Sequence, residues 1–234
     1  METKQRTIVV AGGTGALGRS VVRAFLTTGA RVIATFVKQA EFDALAKQTG
    51  EGLSGVPLDV TNESAVAKFV AETESKYEAI DALVIAVGGY AAGKQLWETD
   101  TATYELMLNL NLRAAFVMTR AVLPGMIRQN RGAIVNVASK AGYGHAAGAA
   151  MYAASKAGVM ALFDSLAEEV KPYNINVNSI VPSIMDTPAN RRNMPTADFK
   201  IWPKTDDIAK VIVYLCSDEA RVIHGAAVPV YGIT

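Results

Sequence analysis

The chain reads as an α/β protein built on a single doubly wound parallel sheet of about seven strands, with helices on both faces. Two observations carry this. Short runs rich in Val and Ile, apolar on successive residues, alternate from end to end with longer stretches of helical period. Such unbroken apolar runs belong to strands buried on both faces of a sheet. The first run also passes straight into a glycine-rich turn that opens a helix. Composition agrees: 234 residues, 50% hydrophobic and 19% charged, are too apolar for disorder. A chain of that size buries about 70% of its surface in one core, so residues 1–234 are read as one domain.

Strands are expected at 7–11, 31–36, 54–58, 82–87, 132–138, 175–181 and 227–230. Between them, helix 19–28 sets Val22, Phe25 and Leu26 on one side and stops at Gly29. Helix 62–77 carries Val66, Phe69 and Val70 on one stripe, with Thr61 as N-cap. Segments 100–126, 151–173 and 205–216 complete the helices. Strand–helix alternation at this spacing indicates right-handed βαβ units. Residues 182–203, with Pro182, Pro188, Pro195 and Pro203, are irregular and long enough to form a substrate-binding segment.

The first strand runs into Ala11-Gly12-Gly13-Thr14-Gly15-Ala16-Leu17-Gly18. A tight turn needs Gly12, approach of the backbone to a pyrophosphate needs a missing side chain, and Gly18 permits close helix packing. The helix start adds free N–H groups and a positive dipole end. Gly12, Thr14, Gly15, Ala16, Leu17 and Gly18 are therefore candidate dinucleotide-binding positions of a Rossmann-type fold. The bland alternative is a strand–helix turn without a ligand. Asp59, next to Val60, suits either a hydrogen bond to an adenine amino group or the capping of a helix. NAD-selective folds place an acid at the end of the second strand; here Phe36 stands there, followed by Val37 and Lys38. Nothing in that stretch repels a 2′-phosphate and Lys38 could attract one, so NADP is expected, with NAD possible.

A Tyr four residues before a Lys on a helix puts phenol and ammonium on one face, where the cation can lower the phenol pKa. The pattern occurs at Tyr90/Lys94 and at Tyr152/Lys156. The first lies in a glycine-rich loop, and Lys94 is read as a solvated charge. The second opens an alanine-rich helix thirteen residues after Ser139, which ends a buried strand. Strand end and helix start meet at the carboxyl edge of the sheet.

On these residues the chain resembles the short-chain dehydrogenase/reductase family over essentially its whole length. The resemblance implies a nicotinamide dinucleotide, hydride transfer to or from a carbonyl or alcohol carbon, and a homodimer or homotetramer. It assigns Asn111, Ser139, Tyr152 and Lys156 to catalysis. Tyr152 would exchange the proton, Lys156 would hold the nicotinamide ribose and keep the phenol pKa down, Ser139 would bind the carbonyl oxygen, and Asn111 would position a relay water. It also matches Pro182 to the turn after the sixth strand, and Ile184 and Thr187 to positions that hold the carboxamide and phosphates. Ala86 and Gly88 fall in the cofactor segment after the fourth strand, where 85–88 reads Ile-Ala-Val-Gly in place of the family's Asn-Asn-Ala-Gly. The middle glycine of the turn stands one residue earlier than in most compact members. The loop 186–199, the Gly-Ala-Leu-Gly turn and Gly88-Gly89-Tyr90 resemble those of dihydropteridine reductases. Those enzymes typically lack a serine where this chain has Ser139.

Other function classes recede. A net charge of +1 offers no footprint for nucleic acid. The single cysteine, Cys216, excludes an intrachain disulfide and fits a reducing compartment. With only His145 and His224 beside it, no metal site is expected. The apolar run after the first six residues is too short for a signal-peptide core, and no stretch of membrane-spanning length and apolar character is expected, which implies a cytoplasmic protein without a membrane partner. No Gly-x-Ser-x-Gly elbow is present. Cys216 is read as core, with no nearby cation, and Arg191-Arg192 as either an anion contact or a solvated pair. The leading reading is an NAD(P)H-dependent reductase of a small carbonyl or alcohol compound. The alternatives are reduction of a quinonoid dihydropterin and, from another class, a non-catalytic dinucleotide sensor, which only the altered 85–88 segment favours.

Overall fold

The computed structural model describes residues 5–234; residues 1–4, the start of the N-terminal segment read above, lie outside the described residues. Its strands are β1 (Thr7–Ala11), β2 (Arg31–Phe36), β3 (Leu53–Pro57), β4 (Ala82–Ile85), β5 (Gly132–Val137), β6 (Ile175–Pro182) and β7 (Ala227–Val230). All pair in parallel, in the order β3-β2-β1-β4-β5-β6-β7. The order reverses between β1 and β4. Ligands of open α/β sheets bind outside the carboxyl ends of the strands at such a switch point.

The helices are α1 (Ala16–Leu26), α2 (Gln39–Thr49), α3 (Glu63–Tyr77), α4 (Thr101–Leu108), α5 (Ala114–Gln129), α6 (Ala150–Val170), α7 (Pro188–Asn193) and α8 (Thr205–Leu215). Alternation along each strand feeds two apolar layers. Val9, Leu83 and Ile134 join Val66, Val117 and Phe163 from α3, α5 and α6. Ile8, Val10 and Val84 join Val22, Leu45 and Ile212 from α1, α2 and α8.

Four local expectations change. Helix α2 was not anticipated, because Leu45 is its one fully buried residue and the apolar period is correspondingly faint. The cap of α3 is Asn62, whose side chain accepts from the Ala65 N–H, and not Thr61. The expected helix 100–126 is broken by a π-helical turn, Asn109–Arg113. Segment 182–203 is partly ordered: Thr187 caps α7, and a bridge joins Asp186 to Lys204. A fifth concerns the membrane. The helical run Thr101–Gln129 is, by length and composition, apolar enough to cross one. Its Val117, Met118, Val122 and Met126 are buried in the core, so much of that character belongs to the inward side of a core helix.

Candidate active site

The glycine turn is built by crowding. Gly12 has φ 77°, a conformation that favours glycine. A Cβ on Gly18 would lie 2.1 Å from the Gly12 carbonyl oxygen, and one on Gly13 would lie 2.5 Å from the Ala34 Cβ. Gly13 had not been singled out in the sequence. The Gly13 N–H donates to the Thr35 carbonyl (3.0 Å) and the Gly12 N–H to Thr35 Oγ1 (3.1 Å), which ties the turn to the end of β2. Gly15 opens α1 with no side-chain cap and no acid in the first turn, and a helix start of that kind presents free N–H groups and a positive dipole end. Ala16 is exposed, whereas the Leu17 side chain is in the core and can offer a ligand only its backbone.

At the end of β2, where the sequence places no acid, the structure brings one in from a helix. Phe36 is buried and stacks on Phe42 with ring centroids 4.8 Å apart. Glu41, on α2, accepts from the buried Thr14 hydroxyl (3.2 Å) and lies 3.3 Å from Lys38 Nζ. An acid therefore does stand beside the end of β2, supplied by a helix the sequence pattern concealed. Asp59 accepts from both the N–H and the hydroxyl of Thr61, which hold its carboxyl below the ordinary range. Both bonds fall on Oδ1, so the turn engages one carboxylate oxygen; Val60 beside it is buried.

At the other end of the switch point, Ser139 follows β5 and its Oγ accepts from the Ala141 N–H (3.2 Å). Helix α6 brings Tyr152 and Lys156 toward that strand end. Lys156 is buried, its Nζ donates to the Val137 carbonyl (2.8 Å), and burial pushes its pKa down to about 8. Burial raises the Tyr152 phenol above its ordinary value; the Ser139 hydroxyl opposes this and Tyr90 adds to it. The expectation that Lys156 holds the phenol down is thus not met: desolvation dominates, and the ammonium bonds the strand carbonyl.

The π-turn carries Asn111, which is buried; π-turns recur at functional sites. Its Oδ1 accepts from the Gly89 N–H (3.0 Å), and its Nδ2 donates to the Gly89 carbonyl (3.1 Å) and to Ser155 Oγ (3.0 Å). Ser155 Oγ in turn donates to the Tyr152 carbonyl (2.8 Å). Asn111 therefore clamps the loop after β4 to α6. Gly88 sits in the same corner: a Cβ there would lie 2.9 Å from Asn111 Oδ1 and 3.4 Å from Lys156 Nζ. Ala86 continues the strand edge, its N–H donating to the Ala11 carbonyl. Tyr90, on the clamped loop, sets its ring edge-on to that of Tyr152, centroids 4.8 Å apart. Ser155 and the ring of Tyr90 were missed; each rests on tertiary contact.

The remaining candidates scatter. Pro182 and Thr187 are buried, Ile184 is exposed, and the Thr187 hydroxyl accepts from the Asn190 N–H. Arg191 is paired with both Asp186 oxygens (2.6 and 2.7 Å), so it is not a free cation, while Arg192 is exposed. His224 bridges the Ala167 carbonyl and the Val177 N–H, and His145 lies exposed beside the Ala141 carbonyl. Cys216 does have a cation nearby, since Arg6 donates to its carbonyl, but burial prevails and pushes the thiol up to about 12.

A model of short chain dehydrogenases matches residues 6–198 of the chain. The chain belongs to this family of oxidoreductases. Its similarity extends to the 3-oxoacyl-(acyl-carrier-protein) reductase FabG of Thermotoga maritima, 31% identical over 99% of this chain and 98% of that one. It also resembles the NADP-dependent 3-hydroxy acid dehydrogenase YdfG of Salmonella typhi, 32% identical over 76% of this chain and 72% of the relative. A short-chain dehydrogenase/reductase structure from Burkholderia xenovorans superposes with a TM-score of 0.89 at 33% identity, covering 98% of this chain and 96% of that one. ElxO with NADP bound shares the fold at 24% identity and a TM-score of 0.91, covering 97% and 98%. These short-chain dehydrogenase relatives leave the finer likeness to dihydropteridine reductases unsupported.

Proposed function

We propose that this short-chain dehydrogenase is a reductase of small carbonyl compounds that uses NADP in preference to NAD, with Tyr152 as proton donor. The observation that carries the reading is the meeting of Tyr152, Ser139, Lys156 and Asn111 at the carboxyl end of β5. The residues fit a nicotinamide dinucleotide: the crowded turn at Gly12, Gly13 and Gly18, the uncapped start of α1 and the bare Gly88 leave backbone where such a molecule needs it. When bound, it supplies the hydride. Gly12, Thr14, Gly15, Ala16, Leu17 and Gly18 would hold its pyrophosphate, Asp59 and Val60 its adenine, Phe36 and Lys38 its adenosine ribose. Ala86, Gly88 and Lys156 would face the nicotinamide ribose, and Pro182, Ile184 and Thr187 the carboxamide and phosphates. The NADP preference is supported by Lys38 and by the name of the Salmonella relative.

Tyr152 suits an acid, because a raised pKa keeps the phenol protonated at neutral pH. Ser139 would donate to the oxygen on which negative charge develops, and segment 182–203 would close over the substrate. Asn111 would place a relay water through its main chain, its side chain being bonded to Gly89 and Ser155. The exposed Tyr104, Leu106 and Phe116 support a homodimer or homotetramer; a cytoplasmic location belongs to the same reading. One observation favours a second substrate, a quinonoid dihydropterin: the aromatic ring of Tyr90 on the rim of the site.

Ser139→Ala separates the two. Loss of one oxyanion donor costs about 3 kcal/mol, so ketone turnover is expected to fall about 100-fold with dinucleotide affinity unchanged. Hydride transfer to a conjugated pterin delocalises charge and should tolerate the change. Full ketone activity in the alanine variant would overturn the assignment. A wild-type protein inert to ketones and fast on quinonoid dihydropterin would establish the second reading instead.

A further inference from the structure

We propose that Glu41 sets how strongly the protein distinguishes a phosphorylated from an unphosphorylated dinucleotide, by competing with the 2′-phosphate for Lys38. The inference rests on the cofactor reading above. Both oxygens of the carboxylate are engaged, Oε2 by the Thr14 hydroxyl at 3.2 Å and Oε1 by Lys38 Nζ at 3.3 Å. Thr14 belongs to the glycine turn, and that turn is bonded to Thr35 in β2. The carboxylate therefore stands in the gap between the turn and the end of β2, the region where dinucleotide folds meet the adenosine ribose.

In that region an acid at the strand end ordinarily accepts from the 2′-hydroxyl. Here the strand-end side chain is Phe36, buried and stacked on Phe42. Phe42 follows Glu41 directly, and a Cβ on Gly55 would meet its ring at 2.3 Å. The stack and the bare Gly55 hold the first turn of α2, and with it Glu41, against the glycine turn. A 2′-hydroxyl can donate to this carboxylate. A 2′-phosphate meets its negative charge and must draw Lys38 away from it. A purely structural role, an acid in the first turn favouring a helix N-terminus, would instead alter thermal stability and leave nucleotide preference untouched.

Dissociation constants for NADPH and NADH, measured by nicotinamide fluorescence, decide between these for wild type, Glu41→Gln, Lys38→Met and the double variant. Lys38 and Glu41 are both substantially solvent-exposed, so the gain is modest: Glu41→Gln should tighten NADPH about threefold to fivefold and weaken NADH slightly. Lys38→Met should weaken NADPH more in the Gln background than in wild type, and the coupling should shrink in high salt. A NADPH-to-NADH ratio that is the same in wild type and Glu41→Gln, or a Lys38→Met effect that ignores residue 41, overturns the inference and leaves the proposed function standing. Wild-type protein that binds neither nucleotide overturns both.

Discussion

The chain contains the spacing Tyr-x-x-x-Lys twice, and the two copies meet different fates. Tyr152 and Lys156 lie on consecutive turns of α6, with the ammonium sealed against the Val137 carbonyl. Tyr90 and Lys94 lie in the loop after β4, with Tyr90 exposed and Lys94 paired with Asp100 at 3.0 Å. Identical spacing thus yields one desolvated acid–cation set and one solvated pair. The difference comes from the backbone: α6 fixes the i,i+4 geometry, while Gly88, Gly89 and Gly93 around Tyr90 cannot sustain a helix. Yet the copies are not independent, because Asn111 clamps Gly89 and the two tyrosine rings touch.

The sharpest test of the contrast is removal of each phenolic hydroxyl. In the proposed role Tyr152 is the proton donor, so with Tyr152→Phe turnover should fall by at least about 100-fold, the range for loss of an acid–base group. Dinucleotide affinity should be retained. Tyr90→Phe keeps the ring and should stay within about twofold of wild type, since loss of an exposed hydroxyl removes no buried partner. Comparable losses from the two substitutions, in steady-state turnover on a confirmed ketone, would erase the distinction.

The two lysines differ as strongly in stability. Lys156 titrates at about 8 in the fold against an ordinary 10.5, so its buried charge costs on the order of 3 kcal/mol at neutral pH. The folded pKa is the lower one; between about pH 8 and 10.5 the unfolded chain binds more protons, and this group makes stability rise with pH there. Below pH 8 both states are protonated and the cost is constant. Lys156→Met should therefore raise the unfolding midpoint at pH 7 while abolishing turnover, and the advantage should vanish toward pH 10.5. Lys94→Met should leave the midpoint unmoved. Denaturant unfolding of the three proteins at pH 7 and 10 checks both; a methionine variant less stable than wild type at pH 7 would sink the argument.

How far the sequence reached follows the same divide. The central strands β1 and β4 were readable because both of their faces are buried and the runs are almost wholly apolar, whereas the edge strands β3 and β7 are only partly buried. The glycine turn was readable because steric need is local: Gly18 has no room for a Cβ whatever else surrounds it. Helix α2 was not, since Leu45 alone is fully buried, and with it went Glu41. The inward turn of Asn111 depends on a π-helical turn that no propensity marks. The direction of the Tyr152 shift was also out of reach, because spacing names the neighbouring cation and says nothing of how deeply the phenol is buried.

The smallest expected effect probes the link between the two copies. Edge-to-face ring pairs contribute about 0.5–1.5 kcal/mol beyond burial, so Tyr90→Ala, which deletes the ring against Tyr152, should lower kcat by roughly twofold to tenfold. Tyr90→Phe should restore it, because the contact at 4.8 Å and 83° is between the two rings, which the phenylalanine keeps. The pH profile adds a second signature. Tyr90 contributes to raising the Tyr152 phenol, and the proposed reduction needs that phenol protonated, so activity should be lost as pH rises through its pKa. Removing the Tyr90 hydroxyl should therefore move the alkaline limb to lower pH in the phenylalanine variant, even though its turnover at neutral pH is normal. A limb that stays in place, together with an alanine variant as active as wild type, would show that the rings merely adjoin and that the loop copy is a bystander to the helical one.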